Sequence, residues 1–304
     1  MVVPAVPGAS TSFMGAYAVP YNFATGGKQY LFNRSWRLDI GVIGGVSAIS
    51  YTKLKTVFEI EKTNFSAANT FKIQVYNFSD FTRMAFLDVT LYQLAFSVGY
   101  AGLLFPLTIG DILTVRHERK GPDIVTTFEG GESIVKLTES VCNFGVPAGT
   151  DVTTVIAQLT SLMGLVLGPI IGLKPFIYSR GATFTGSCKS NLDSILKTMG
   201  LTWSVQNLVV QIHPNGVPVG TQGSVVSTAT GMVGAANLGL GTGSDSICTF
   251  TSLINPLYQP GSLVTIKGRD VITPAVIKTA KFEGDTHDSK WTVKCECTNP
   301  SAVG

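Results

Sequence analysis

The chain has 304 residues, of which 45% are apolar and only 13% are charged. A chain of this length can bury one large core or two smaller ones, and its charged share is about half of that usual in soluble proteins. The net charge of +3 is too small to indicate nucleic-acid binding by composition. A surface so poor in charge is expected to lie largely in subunit interfaces.

The chain begins with an uncharged segment rich in glycine, alanine, proline and serine. No charged residue precedes Lys28, so the basic start of a signal peptide is missing and none is predicted. Residues 1–30 show no periodicity and are predicted to form an extended arm that a neighbour holds in place. A second uncharged stretch, residues 152–173, contains Gly164, Gly168 and Pro169. Since a membrane span needs about 20 continuous apolar residues, no span is predicted there.

Residues 31–146 show the two-residue period of half-buried strands. Apolar residues alternate with polar ones in three sets: Trp36, Leu38 and Ile40; Phe58 and Ile60; Phe71, Ile73 and Val75. Ser79 is predicted to cap one short helix that runs to Met84. Further strands are predicted at 94–100 and 107–117, with a hairpin turn at Gly121–Asp123. About six strands in this span favour a closed barrel or a sandwich.

The pattern changes at Pro147, where helical spacing begins. Thr150 or Asp151 can cap a helix whose apolar residues run to Met163 and which Gly164 ends. A second helix is predicted from about Ser187 to Gly200. A tight hairpin follows around Gln206-Asn207, so residues 147–214 are predicted to form a small α/β domain.

The last part of the chain, residues 215–304, is again β-rich. From Pro214 to Ile266 the only charged residue is Asp245, and the large apolar side chains of a deep core are scarce. Two interpretations of residues 220–246 stay open: burial between copies of the chain, or a flexible neutral loop. Strands at 263–266, 276–282 and 291–297 predict a second small barrel.

Polar clusters with a catalytic appearance are few. His287 lies between carboxylates in the run Asp285-Thr286-His287-Asp288, and such a histidine can act as a general base. No nucleophile motif accompanies this run. A polar hairpin turn is therefore the favoured interpretation.

Other candidate residues also have simpler explanations. Glu129 with Glu132, or Glu59 with Glu61, could form a glycosidase pair, but Glu59 and Glu61 are predicted on the exposed face of one strand. The run from Arg116 to Lys120 is predicted to be a solvated hairpin tip. The five cysteines, among them Cys295 and Cys297, have no zinc spacing and are expected to be reduced thiols. No catalytic, cofactor-binding or metal-binding residue is predicted.

Several short segments stand in a recognisable order between residues 36 and 297. In the first half they are Asn69 with Phe71–Phe78, Ser79, Thr82-Arg83, Gly99-Tyr100, Ile109–Ile112, Asp123–Thr126 and Val146–Thr150. In the second half they are Thr228–Gly234, Leu253–Leu257, Pro260-Gly261, Gly284–His287 and Trp291. In this order they resemble the tail hub proteins of contractile-tailed phages and related injection machines. Ala236 departs from the pattern, because relatives often have proline there.

The resemblance implies a structural virion protein of the tail baseplate, assembled in the host cytoplasm, and not an enzyme. The implied fold is mainly β, with two tail-tube-like β-barrels separated by a helix-containing domain. The domains would be an N-terminal arm (1–30), a first barrel (31–146), a small α/β domain (147–214) and a second barrel (215–304).

The resemblance further implies a homotrimer whose six barrels join a six-fold tail tube to a three-fold central spike. The implied partners are the spike protein, the tail tube or its terminating ring proteins, and the tape measure protein. DNA would only pass through the lumen during ejection, with no membrane insertion and no cofactor. Since a neutral or acidic lumen would not retain phosphate, Arg116, Arg119 and Lys120 are expected outside it.

Two alternative functions stay open. One is a component of a tail-tip cell-wall hydrolase, against which stands the missing carboxylate constellation. The other is a distal tail protein of a non-contractile tail, because hubs of both tail types share tube-like barrels. An outer-membrane barrel is disfavoured by the helical middle of the chain.

Overall fold

The computed structural model describes residues 31, 33–42, 48–86, 92–220, 223–238, 248–268 and 272–300. Over these residues the chain is mainly β, with four short α-helices. The predicted arm at residues 1–30 lies outside the described residues.

Strands account for most of the described chain, and their lengths suit the two-residue periods in the sequence. In chain order they are β1 (Arg34–Val42), β2 (Ala48–Tyr51), β3 (Thr56–Thr63), β4 (Thr70–Tyr76), β5 (Tyr92–Tyr100), β6 (Leu103–Lys120), β7 (Asp123–Gly131), β8 (Val141–Val146), β9 (Thr150–Asp151), β10 (Val166–Ile170), β11 (Ile177–Tyr178), β12 (Ala182–Ser187), β13 (Leu201–Gln206), β14 (Val209–Pro214), β15 (Ser224–Val226), β16 (Met232–Leu238), β17 (Cys248–Leu253), β18 (Leu263–Lys267), β19 (Ile272–Asp285) and β20 (Trp291–Thr298).

The helices begin where the sequence offers caps. They are α1 (Asp80–Ala85), α2 (Ile134–Glu139), α3 (Val152–Leu162) and α4 (Cys188–Thr198). The side chains of Ser79, Asp151 and Ser187 each accept a hydrogen bond from a first-turn backbone N–H, which satisfies a donor that the helix itself leaves free. The predictions of α1, α3 and α4 are therefore confirmed.

One 13-stranded sheet contains most of the strands. Its hydrogen-bonded order is β16-β17-β20-β19-β3-β4-β7-β6-β5-β1-β2, with β18 on β19 and β15 on β18. We call the strands β1 to β7 the first β region and the strands β15 to β20 the second. The antiparallel pairing of β3 with β19, from Thr279↔Thr63 to Asp285↔Val57, joins the two β regions. The N-terminal and C-terminal parts of the chain thus form one continuous sheet.

In each β region, the two strands at opposite ends of the sheet path follow one another closely along the chain: β2 and β3 in the first region, β15 and β16 in the second. Only four residues lie between β2 and β3, and a 3-10 helix at Thr228–Thr230 connects β15 to β16. Among the described pairings the sheet path is nevertheless open, ending at β16 and β2. The described hydrogen bonds therefore do not close either region into a barrel.

The main apolar core draws on both β regions. The first contributes residues such as Leu38, Ile60 and Phe96, and the second contributes Phe250 and Trp291. The aromatic rings of Phe58 and Trp291 meet across the β3–β19 joint, with ring centroids 5.4 Å apart. A single cluster therefore holds the two β regions together by burial of apolar area.

The expectation for residues 214–266 needs one correction. The segment was expected to lack the large side chains of a deep core, yet Val226, Phe250, Ile254, Tyr258 and Val264 all belong to the main core. Scarcity of charge does not distinguish a subunit interface from a core, whereas side chains of β17 alternate between buried and half-buried, as in a strand with one face on the core. Residues 221–222 and 239–247, within the predicted neutral loop, lie outside the described residues.

A second, separate core lies in the middle of the chain. Its buried residues run from Leu137 to Ile212 and include Ile156, Leu192 and Trp203. Here α3 and α4 pack beside a three-stranded sheet of order β10-β14-β13. We call residues 134–214, from α2 to β14, the middle unit.

The hairpin from β13 to β14 turns at two residues with left-handed backbone conformation. Asn207 has φ 50° and Leu208 has φ 69°. Two successive positive φ values are typical of the tight turns that match strand twist, and asparagine tolerates them well. This turn carries Asn207 to the boundary with the β regions.

Candidate functional site

A layer of polar side chains, of which seven are buried and Asn207 is half-buried, separates the two apolar cores. The β regions contribute Lys62, Asn64, Asn69 and Glu132, and the middle unit contributes Ser204, Gln206, Asn207 and His213. We call these eight residues the polar layer. The end of β3, the loop before β4 and the end of β7 position one side of it, and the β13–β14 hairpin positions the other.

A fully buried ion pair lies at the centre of this layer. Nζ of Lys62 lies 2.8 Å from Oε1 of Glu132, and both side chains are 0% exposed. Burial holds the pKa of Lys62 below its ordinary value, because the loss of hydration outweighs the attraction of Glu132. The ammonium also donates to Oδ1 of Asn207 at 3.1 Å. Such a pair adds little net stability, although loss of one partner leaves an uncompensated charge.

Asn69 connects the ion pair to the middle unit. Its Nδ2 lies 2.9 Å from Oε2 of Glu132, 2.9 Å from the backbone oxygen of Val205 and 3.1 Å from Oε1 of Gln206. Gln206 in turn donates through Nε2 to the backbone oxygen of Thr63 at 2.9 Å. The backbone N–H of Asn207 completes the set by donating to Oε2 of Glu132 at 3.1 Å.

His213 occupies the far side of the layer. Its Nδ1 lies 2.8 Å from the backbone oxygen of Pro214, and its Nε2 lies 2.9 Å from Oδ1 of Asn64. Burial lowers the pKa of His213, and the carbonyl of Pro214 offsets this only in part. Apart from the half-buried Asn207, the residues of the layer are shielded from solvent and hydrogen-bonded to one another, so its geometry supports a structural role.

The exposed face of the central sheet carries a second group of charges. Two neighbouring rows of charged residues run in register across the strands. One row is Glu283 on β19, Glu59 on β3, Lys72 on β4 and Glu129 on β7. The other is Lys294 on β20, Lys281 on β19 and Glu61 on β3. We call these seven residues the charged face. It crosses the β3–β19 joint and so belongs to both β regions.

Lysines and glutamates of the charged face neutralise one another. Nζ of Lys281 lies 2.6 Å from Glu59 and 3.3 Å from Glu283, and Nζ of Lys72 lies 2.8 Å from Glu129. The ammonium of Lys72 lowers the pKa of Glu129, and the ammonium of Lys290, just outside the face, lowers that of Glu283. Exposed pairs of this kind contribute little stability, so their main effect is on the local potential.

The run from Asp285 to Asp288 is a hairpin turn, as predicted. Oδ1 of Asp285 accepts from the backbone N–H of His287 at 2.8 Å, and Oδ2 lies 3.1 Å from Nζ of Lys55. Arg34 donates to the backbone oxygens of Asp288 and Ser289. These hydrogen bonds and the ion pair with Lys55 hold the turn between β19 and β20 in place.

The basic run from Arg116 to Lys120 forms the exposed end of the β6–β7 hairpin. Arg116 stands opposite Thr127, on the same face as Glu129, and contributes to the lowered pKa of that carboxyl. His117 points the other way, with Nδ1 3.0 Å from Oγ1 of Thr126. The predicted solvated tip is confirmed.

The remaining candidates separate in space. Glu59 and Glu61 are exposed, as predicted, whereas Glu132 lies in the polar layer and Glu129 on the charged face. All five cysteines are buried and unpaired. Within the described parts of the chain, no group of three or more histidine, cysteine or carboxylate side chains could hold a metal ion.

Comparison with known proteins gives the class of the fold. The sequence matches no protein-family profile and no curated protein. A tail protein from Neisseria meningitidis superposes with TM-score 0.60 and 11% identity, covering 88% of this chain and 97% of the other. The 43 kDa tail protein of prophage MuSo2 from Shewanella oneidensis gives TM-score 0.60 and 11% identity, covering 88% and 99%.

A third similar structure comes from a secretion machine. It is an Escherichia coli component of the type VI secretion system, described as structurally similar to the T4 bacteriophage tail proteins gp27 and gp5. It superposes with TM-score 0.58 and 12% identity, covering 86% of this chain and 77% of the other. The chain therefore has the fold of phage tail proteins and their secretion-system relatives, and the resemblance predicted from segment order is confirmed at the level of the fold.

The described helices also bear on membrane insertion. Among the residues that the structure describes, every helix is too short or too polar to cross a bilayer.

Proposed function

We propose that this chain is the structural hub of a phage-tail baseplate, a homotrimeric ring that joins a six-fold tail tube to a three-fold spike. The joint between β3 and β19 carries the proposal, because it connects two β regions edge to edge in one chain. Repetition of a β region within the chain lets three subunits present six similar units. The tail-protein fold, aligned over 88% of the chain, supports the same assignment.

In this proposal each β region is a tail-tube-like barrel. The four-residue return from β2 to β3 and the 3-10 return from β15 to β16 bring the strand ends of each region near each other. Heterologous contacts between copies then close a ring. Exposed apolar residues on strands near the sheet ends, Ile49 and Val233, are available for such contacts.

The charged face is proposed to line the central channel. Lys72 and Lys281 are paired with carboxylates, and the face carries four glutamates against three lysines, so DNA phosphates would meet little uncompensated positive charge during transit. Arg116 shares this face next to Glu129 and is itself partly neutralised. The proposal thus departs from the expectation that Arg116 lies outside the channel, and it keeps that expectation for Arg119 and Lys120, farther along the hairpin.

The first experiment is the measurement of mass by light scattering, followed by negative-stain imaging. We expect a particle of three times the chain mass of 32.2 kDa, with a central hole. The spike protein is the expected partner on one face and the tail tube on the other. A closed dimer, or a chain that stays monomeric even when mixed with tube and spike, would contradict the hub.

The absence of catalysis is a separate part of the proposal. The polar layer is closed to substrates and the Asp285–Asp288 turn is occupied by its own contacts. We expect no clearing when the purified chain is tested in a zymogram on bacterial cell walls. Clearing that co-purifies with the chain would favour the tail-tip hydrolase.

A further inference from the structure

The middle unit and the β regions have separate apolar cores. The cluster of the middle unit runs from Leu137 to Ile212 and shares no residue with the cluster of the β regions. Among the described residues of the β regions, Ala68, partly buried, is the one that packs against it. Apolar burial thus stabilises each part internally and contributes little between them.

Apart from Ala68 and the contact of α2 with β6, the contacts that the described residues make between the two parts are polar. They are Lys62 to Asn207, Asn69 to Val205 and to Gln206, Gln206 to Thr63, Asn207 to Glu132, Ser204 to Asn64, and His213 to Asn64. Hydrogen bonds depend on geometry, so together they define one docked orientation. Water can replace each of them when the surfaces part.

The buried ion pair makes separation less costly. In the docked state Lys62 and Glu132 have lost their hydration, and the mutual attraction of such a pair does not exceed this loss. When the layer opens, both groups regain water. An apolar boundary of the same extent would instead resist opening in proportion to its area.

The chain connects the two parts at only two places. One is the step from Gly131 to Ile134, where Ser133 has φ 58°, and the other follows Pro214, where Gly216 has φ 76°. Left-handed conformations at such positions mark sharp turns between elements. Two short turns of this kind allow rotation about the line that joins them.

We propose that the polar layer is a reversible joint, at which the middle unit separates from the β regions as a rigid body while both apolar cores stay folded. Opening exposes Lys62, Glu132 and Asn207 to water and leaves Trp203 and Trp291 buried. The middle unit can therefore take a second orientation without a change in the continuous β sheet.

Lys62 is a built-in reporter of this opening, because its amine is fully buried when the joint is closed. The full-length protein is treated with a small amine-acylating reagent, and modification of Lys62 is followed by peptide mass spectrometry. Lys72, which is half-exposed, is the internal standard. Tryptophan emission reports whether the cores stay intact.

Two matched variants distinguish the joint from the middle unit itself. Asn69→Ala removes two contacts across the joint, one to Glu132 and one from the backbone N–H of Thr63. Asn191→Ala removes three contacts inside the middle unit, to Cys142, Thr185 and Ser187. We expect Asn69→Ala to raise Lys62 modification about tenfold relative to Lys72 with unchanged emission, and Asn191→Ala to leave it within about twofold.

The wild-type protein supplies a second test that needs no variant. In rising urea, Lys62 modification should increase before tryptophan emission changes. The joint is refuted if Lys62 becomes reactive only together with loss of emission, or if both variants have the same effect on it. Since the readout is independent of oligomeric mass, failure of the joint would leave the hub proposal standing, and the reverse also holds.

Discussion

Lys62 and Glu132 are the residues at which a single substitution should matter most. Lys62→Met leaves the Glu132 carboxylate buried without its ammonium. We expect the free energy of unfolding to fall by about 3–5 kcal/mol, measured by urea denaturation. Lys281→Met, on the charged face, is the control and should change stability by less than about 1 kcal/mol.

A double variant separates loss of charge from loss of shape. Lys62→Met with Glu132→Gln removes both charges and keeps an acceptor for Asn69 and Asn207. It should be more stable than Lys62→Met alone, because no uncompensated charge remains. Equal stability of the two variants would show that the unpaired charge of Glu132 is not the cause of the loss.

His213 should make stability depend on pH. Burial lowers its pKa in the folded chain, so below the ordinary imidazole value of about 6.5 the unfolded chain binds a proton more readily. The stability contributed by the neutral ring is present above that pH and is lost as the pH falls through the folded-state pKa. We expect the free energy of unfolding to fall less between pH 7 and pH 5 in His213→Gln than in wild type.

The matched control for this titration is His287→Gln. His287 lies in the exposed turn between β19 and β20 and should leave the pH dependence of wild type unchanged. If His213→Gln retains the wild-type slope, the titrating group lies elsewhere in the chain.

For the ion pair, the sequence carries a local signal for Lys62, which the sequence analysis did not use, and none for Glu132. The alternation Phe58, Ile60 continues to Lys62, so the period places a lysine on the buried face of β3. Glu132 follows the last residue of β7, where no period extends to it. Their contact depends on tertiary packing, and no local pattern encodes it.

Gly284 is the residue through which the β3–β19 joint is most easily tested. A Cβ there would lie 2.5 Å from Cζ of Phe58 and 3.0 Å from Cε3 of Trp291. We therefore expect Gly284→Val to separate these rings and lower the free energy of unfolding by about 1–3 kcal/mol, measured by urea denaturation. The control is Gly220→Val, because nothing lies within 4 Å of a Cβ at that position.

Equal stability of these two glycine variants would show that β3 and β19 are not tightly paired in solution. The matching readout is hydrogen exchange of the paired segments. Exchange should rise in Gly284→Val across residues 57–63 and 279–285, which form the β3–β19 pairing. It should stay at the wild-type rate in Gly220→Val.

Local signals predicted most elements and missed those that depend on distant partners. Caps and helical spacing give α3 and α4, and the strands β18, β19 and β20 follow from alternation. The helix α2 was missed because its N-cap, Ser133, has left-handed backbone and makes no side-chain cap hydrogen bond. Strands β8 and β12, which pair 36 to 46 positions apart along the chain, have mixed burial and show no clean period.

The balance of charge on the central face should control how the assembled protein meets DNA. We expect wild type to be washed from immobilised double-stranded DNA at physiological salt. Glu59→Lys combined with Glu129→Lys reverses two charges, leaves Lys72 without its partner and leaves Lys281 with Glu283 alone, so this variant should be retained and released by added salt. Lys267→Glu, away from this face, should behave as wild type.

Retention of the wild-type protein would contradict the neutral channel, and equal release of the double variant would show that this face is not reachable by DNA.

At the scale of the whole molecule, the sequence predicted two β-rich regions around a helix-containing middle. It did not predict the single continuous sheet, because the pairing of β3 with β19 joins residues that are far apart in the chain.

That pairing has a consequence for synthesis. Thr56 donates its backbone N–H to the side chain of Thr286, 230 positions later, so one edge of β3 has no partner until almost the whole chain has left the ribosome. An unpaired strand edge is a template for association with other chains, and such distant contacts form slowly. Nascent chains of this protein should therefore depend on a chaperone until residues 279–285 emerge, and truncation before β19 should yield aggregates instead of a folded first half.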